Sequence, residues 1–170
     1  MRVYKMTRAD GTTRGGTTWG EGVEHSVKWR GRLCEEGCLH AYASPELAVL
    51  MDPIHGDFGP GALLWEAEAD ESGMTQDEEG HAVEWHMIDD GTKIGTARIR
   101  TIKHVPLPVA TVEVRVRFAI LCALAVYKNE VFGAWAQRCL SGKDRSAEAA
   151  WAAAARAEAA RAEAAWAATW

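Results

Sequence analysis

The sequence predicts an α+β fold: a mostly antiparallel sheet over residues 1–105 with one short inserted helix, followed by three C-terminal helices. Three observations carry that prediction. Up to residue 105 the apolar residues fall in short segments, several alternating with period two, separated by Gly, Pro and Asp turns, which is the punctuation of strands. Within that region Ser44-Pro45-Glu46 combines a capping hydroxyl, a proline at the first helical position and an acid in the first turn. Beyond Pro106 and Pro108 the chain turns to long unbroken apolar and alanine-rich runs, which suit helices. The predicted organisation is an α+β domain, 1–142, and a helical tail, 143–170.

Met1 to Thr7 reads as an opening strand with Val3 and Tyr4 inward, running into the turn Asp10-Gly11-Thr12. Arg14 to Gly22 is a Gly- and Thr-rich loop around Trp19, which serves as a lid over the core or as a stacking platform. Val23 to Trp29 alternates weakly as a second strand, and Leu39 to Ala43 reads as a third. The helix opened by Ser44 carries Leu47, Val49, Leu50 and Met51 and is expected to stop at Pro53, because proline cannot continue the backbone ladder. A loop from Ile54 to Gly61 presents His55, Asp57 and Phe58, and Leu63 to Glu68 is the returning strand. The acidic stretch Ala69 to Gly80 reads as a solvated hairpin tip, with His81 to Ile88 as a strand beside it. Lys93 to Val105 reads as one basic strand, ended by the prolines. Thr111 to Lys128 is expected to be one largely buried helix and Glu130 to Leu140 a second. A third starts near Asp144-Arg145-Ser146, with Trp151, Trp166 and Trp170 on one alanine-rich stripe. That stripe can dock on the chain's own core or pair two copies; the helix outlasts the sheet it could cover, which favours a homo-oligomer.

Charge is segregated along the chain. Residues 1–32 hold seven basic and three acidic side chains, residues 33–92 fifteen acids and no Lys or Arg, and residues 93–117 six basic residues and one acid. Such blocks pair within a fold, or two basic blocks converge on an anion. A net charge of −5 and the shortness of the basic blocks argue against duplex nucleic acid as a partner. No apolar run approaches the roughly 20 residues that span a bilayer, and Met1 to Lys5 lacks the apolar core of a signal peptide, so a cytoplasmic protein without a membrane partner is expected. Cys34, Cys38, Cys122 and Cys139 are then free thiols.

The residues able to do chemistry concentrate between Leu33 and Glu68. Cys34, Cys38, His40 and His55 invite a zinc reading, but C-x3-C is looser than the usual knuckle and a second strong pair is missing, so no metal is expected. No phosphate-loop or serine-elbow signature is present, and no motif calls for a cofactor. What remains is a binding pocket. His40 and Tyr42 leave one strand face, His55 follows on the loop, Trp65 lies on the returning strand, Lys103 and His104 end the basic strand, and Arg117 begins the next helix. Aromatic faces with two or three cations suit a small nucleotide-like anion. The competing reading takes each histidine as a satisfied structural residue.

L-C-x-x-G-x-x-H-x-Y, A-V-L-M-x-P-I-H, L-W-E-A-E and T-I-K-x-x-x-L-P, with R-V-x-F-A-I-L-C-A and L-S-G-K-D-R after them, resemble a family of small bacteriophage and prophage proteins that end in alanine-rich tails. The resemblance covers most of residues 1–150 and departs between Gly73 and Asp90. It implies a phage-infected bacterial cytoplasm as the setting and no activity. The expected function is capture of a small anionic ligand, a nucleotide-derived immune signal of the host in that setting. The alternatives are an enzyme using His40, His55 and Glu66 on such a molecule, and an interaction module working through the tail.

Overall fold

The computed structural model describes residues 1–76, 79–144 and 146. The elements are β1 Arg2–Thr7, β2 Glu24–Ser26, β3 Leu39–Ala41, α1 Pro45–His55, β4 Leu63–Ala69, β5 Ser72–Gln76, β6 Ala82–His86, β7 Ile88–Asp89, β8 Ile94–Thr96, β9 Arg98–Val105, α2 Val112–Val126 and α3 Glu130–Leu140. This is an α+β chain with antiparallel pairing throughout its sheets. It divides into two compact units, Met1–Ala110 and Thr111 onward, so the division falls ahead of α2 rather than at the change of composition near residue 142. The third predicted helix and its tryptophan stripe lie outside the described residues.

In the first unit β8 and β9 follow one another with only Ala97 between them and form a spine. One edge of the spine takes β2 (Glu24 opposite Arg100) and then β3 (Leu39 opposite Thr96). The other takes β4 (Ala69 opposite Ile99) and then β7 (Ile88 opposite Gly95). β1 lies on the far side of β4, with Lys5 opposite Trp65. Tyr4 and Tyr42 then exchange backbone hydrogen bonds of 2.8 and 2.9 Å, so the pairing runs from β1 through β4, the spine and β3 back to β1. Val3, Trp19, Ala41, Ala67, Ala69, Ile94 and Ile99 fill the core of this ring. The three alanines leave room for the indole, whose Nε1 donates to the Thr13 hydroxyl at 3.2 Å. Trp19, 3% exposed, is therefore a core residue with its polar atom satisfied.

Two boundaries differ from the sequence reading. The strand expected over Lys93–Val105 breaks at Ala97, because the Thr96 hydroxyl donates to the Asp70 carbonyl (2.8 Å) and accepts from the Arg98 N–H (3.3 Å). α1 does not stop at Pro53 but runs on to His55. Pro53 sits in the last turn, where it costs one ladder bond, and the Asp52 carbonyl closes the end by accepting from the N–H groups of Gly56 (2.8 Å) and Asp57 (2.6 Å). The start is as predicted: the Ser44 hydroxyl accepts from the Leu47 N–H at 3.1 Å. The acidic stretch carries a strand, β5, paired with β6 from Ser72–His86 to Gln76–Ala82.

In the second unit Thr111 and Asn129 cap α2 and α3, their side chains accepting from Val114 N–H (3.3 Å) and Phe132 N–H (3.0 Å). The expectation that α2 is largely buried is corrected. Ile120 is its one buried residue, while Val112, Val114, Val116, Leu121 and Val126 are exposed. Among the described residues α3 is the helix that packs on α2, which carries Glu113, Arg115 and Arg117 among its apolar residues.

Candidate functional site

The ring determines which side chains meet. Along β1, alternate residues share a face, so Val3, Lys5 and Thr7 point one way and Tyr4 and Met6 the other. Lys5 follows Val3 into the interior and is 8% exposed. Its ammonium donates to the His40 carbonyl at 2.6 Å and stands 4.9 Å from the centre of the Trp19 ring. β3 presents His40 beside it, α1 delivers His55 from its last turn, and Lys93 enters from the start of β8, 7% exposed. These side chains, with Trp19, Tyr42 and Phe58, line a cavity of about 590 Å³. Arg14 and Glu36, both exposed, stand on its wall.

The electrostatics are one-sided. Among the described residues no carboxylate lies within ion-pair distance of Lys5 or Lys93, and Glu36 is the only acid on the wall. Burial, reinforced by the Lys93 charge, pulls the Lys5 ammonium down to about 8. Burial, with Lys93 and Lys5 behind it, pulls the His40 imidazole down to about 4. His55 is lowered by burial and by Lys93, against an opposing pull from Asp90. His40 is thus neutral near pH 7, and its Nε2 accepts from the Cys34 N–H at 2.9 Å, which leaves the ring proton on Nδ1. Tyr42, its phenol raised by burial, stacks on the His55 ring with centroids 6.1 Å apart. Two buried cations, two neutral imidazoles and three aromatic faces around one cavity can hold an anion with an aromatic part.

Of the residues singled out in the sequence, His40, Tyr42 and His55 line this cavity. Trp65, Lys103 and His104 do not, and the idea that one cavity unites Trp65 and Lys103 with the two histidines is corrected. Trp65 is 8% exposed, with its indole donating to Thr7 Oγ1 at 3.1 Å and its ring edge-on to His104 at 5.6 Å. Lys103 stands opposite Glu66, the neighbour of Trp65 in β4, so strand alternation puts it on the other face of the sheet. There it pairs with Glu66 at 3.6 Å, and Arg2 pairs with the same carboxylate at 3.2 Å. Glu66 is therefore held away from His40 and His55. The strands carrying residues 39–41 and 98–105 are not neighbours across β4; β3 pairs with β8 instead. Arg117 belongs to the second unit, where its guanidinium donates to the Leu140 carbonyl at 2.8 Å.

The four cysteines are free. Cys34 and Cys38 do not converge with the histidines on one point: the Lys93 ammonium donates to Cys34 Sγ at 3.3 Å, and burial raises the Cys38 thiol to about 11. Among the described residues no group of three or more His, Cys, Asp or Glu side chains could hold a metal ion, and no helix is long and apolar enough to cross a membrane. No protein-family model, no curated protein and no solved structure matches this chain.

Of the residues that line the cavity, the sequence reading passed over Lys5 and Lys93, and it offered Trp19 as a lid over the core or a stacking platform. Lys5 had a signal, since it lies two residues after the inward Val3 in a period-two strand. Lys93 had none, because its burial comes from the partners that β8 takes on both edges.

Proposed function

We propose that this chain is a binding protein that captures a small anionic, nucleotide-like ligand in the cavity of its first unit. The observation that carries the reading is the pair of buried lysines, Lys5 and Lys93, facing one cavity with no carboxylate partner among the described residues. A buried charge is costly unless it is paired. Here no described residue pairs it, and the space for a ligand is present. The volume lies within the roughly 300–1,000 Å³ usual for small-molecule sites. In this reading Lys5 and Lys93 hold a phosphate, Trp19, Tyr42 and Phe58 flank a base, and neutral His40 offers its Nδ1–H to a ligand acceptor. The ligand leaves unchanged in this reading, because Glu66 is tied to Arg2 and Lys103 and, among the described residues, the cavity wall offers no buried carboxylate to move a proton. The wider setting, a phage product that sequesters a nucleotide-derived immune signal of a bacterial host, rests on the sequence resemblance alone.

Native mass spectrometry of the protein purified from bacterial cytosol, with AMP as a defined probe in thermal-shift titrations, tests the reading. The expected result is a small molecule released intact on denaturation, or stabilisation by AMP, in the wild type. Both are lost in Lys5→Met/Lys93→Met. No retained molecule and no stabilisation by AMP or pyrophosphate would overturn it, and AMP converted to product would replace it with an enzyme.

A further inference from the structure

Of the four cysteines, Cys34 alone is both exposed and on the wall of the first unit's cavity. Its placement is specified from two sides. The backbone is left-handed there, φ 67°, a conformation that a residue other than glycine seldom adopts, and the Cys34 N–H donates to His40 Nε2 at 2.9 Å, which ties the loop to β3. The sulfur accepts from the Lys93 ammonium at 3.3 Å. Lys93 is 7% exposed and, among the described residues, has no acid within ion-pair distance. A buried ammonium aimed at a sulfur is not needed for packing. It gains its full worth when the sulfur is negatively charged, as it is during nucleophilic attack. Cys38, on the same wall, is buried, and burial raises its thiol to about 11, so it does not compete.

We propose that Cys34 is a thiol–disulfide exchange site whose substrate is a small anionic disulfide of the glutathione disulfide class. The inference rests on the cationic cavity of the binding reading. Lys5 and Lys93 draw the carboxylates of the disulfide in, and Cys34 Sγ stands on the wall to meet it. In the step, Cys34 gives its proton to solvent and the thiolate attacks one sulfur of the disulfide. The bond from Cys34 Sγ to that sulfur forms as the disulfide's own S–S bond breaks, and the other half leaves as a thiolate that takes up a proton. The small disulfide is the oxidant: it is reduced to one free thiol, and Cys34 is oxidised to a mixed disulfide. The product then places carboxylates beside Lys5 and Lys93, supplying the anionic partner that no described residue provides.

The test uses the full-length reduced chain and three disulfides: anionic glutathione disulfide, neutral 2-hydroxyethyl disulfide and cationic cystamine. Loss of the free thiol is followed at each cysteine by peptide mass spectrometry. Cys122, exposed and in the second unit, supplies a reference rate for each reagent within the same molecule. The ratio of the Cys34 rate to the Cys122 rate should be at least about tenfold higher with glutathione disulfide than with cystamine, the low end of what a cleft lined by one sign of charge adds to encounter rates. The neutral reagent should fall between them. In Lys5→Met/Lys93→Met the three ratios should come together while Cys38 stays protected, which reports that the first unit is intact. Equal ratios in the wild type would overturn the proposal, and so would a preference that survives in the double variant. Stabilisation by AMP with equal ratios would remove this proposal and leave the binding reading standing. A preference for the anionic reagent without stabilisation by AMP would do the reverse.

Discussion

Replacing Lys5 by methionine separates the cost of the buried cation from its use. The folded chain lowers the Lys5 ammonium from 10.5 to about 8, chiefly by burial, which corresponds to about 3 kcal/mol against the charged form. Methionine matches the aliphatic stem and keeps contact with the Trp19 ring. It removes the donor to the His40 carbonyl, a loss of about 1 kcal/mol. Lys5→Met should therefore be more stable than the wild type by about 2 kcal/mol at pH 7. The dependence on pH is the sharper part. Between pH 8 and 10.5 the unfolded chain holds the Lys5 proton and the folded chain does not, so wild-type stability rises with pH across that window. The penalty is full below pH 8 and gone above 10.5, so the methionine advantage should shrink to near zero by pH 10. Urea unfolding of both proteins at pH 7 and pH 10 measures this. A variant no more stable at pH 7, or one with the same advantage at both pH values, would refute the claim that Lys5 is an uncompensated buried charge.

Two further outcomes follow from the same walls. His40, lowered to about 4 by burial, Lys93 and Lys5, stays neutral in the folded chain while the unfolded chain takes a proton below about 6.5. Stability should thus fall as pH drops from 6.5 towards 4, by up to about 2 kcal/mol after discounting for the exposed part of the ring, and His40→Gln should flatten that slope in urea titrations at pH 7 and pH 5. In Gly95→Ala the new methyl would lie 2.5 Å from Leu33 Cδ2 and 2.6 Å from Cys38 Sγ. That overpacking should cost about 1–3 kcal/mol in a thermal melt, and an unchanged melting temperature would show that the Leu33–Cys38 loop yields freely.

What the sequence made legible was set by local chemistry. The Ser44 cap, the strand alternation of Met1–Thr7 and the breaks at Pro106 and Pro108 are decided within a few residues, and each was readable there. Pro53 was misread because a proline in a final turn can be carried when a neighbouring carbonyl, here Asp52, closes the end. The break at Ala97 was invisible because it depends on Thr96 meeting Asp70, 26 residues away. The site shows the same split. His40, Tyr42 and His55 lie within 16 residues of sequence joined by one well-marked helix, so their meeting could be inferred from that stretch alone. Trp65, Lys103 and His104 were assigned by assuming that neighbouring strands share a face. The register decides otherwise: Lys103 faces Glu66, and only His104 shares the Trp65 face.

The same register explains why the cations of the cavity are lysines from β1 and β8 rather than the basic residues of β9. β9 alternates Arg98, Arg100 and exposed side chains against Ile99 and Thr101, so its charges point outward, and several find acids there: Arg98 meets Glu24 at 2.9 Å and Asp70 at 3.6 Å, and Lys103 meets Glu66. Paired surface charges of that kind contribute about 0–1 kcal/mol each and leave nothing for a ligand to satisfy. Lys5 and Lys93 sit where the ring turns them inward, beyond reach of those acids. Part of the segregated charge is thus paired between strands, while Lys5 and Lys93 face the cavity. An anion entering that cavity would meet cations already stripped of water, which is why its binding should be strong per contact and should be lost with either lysine.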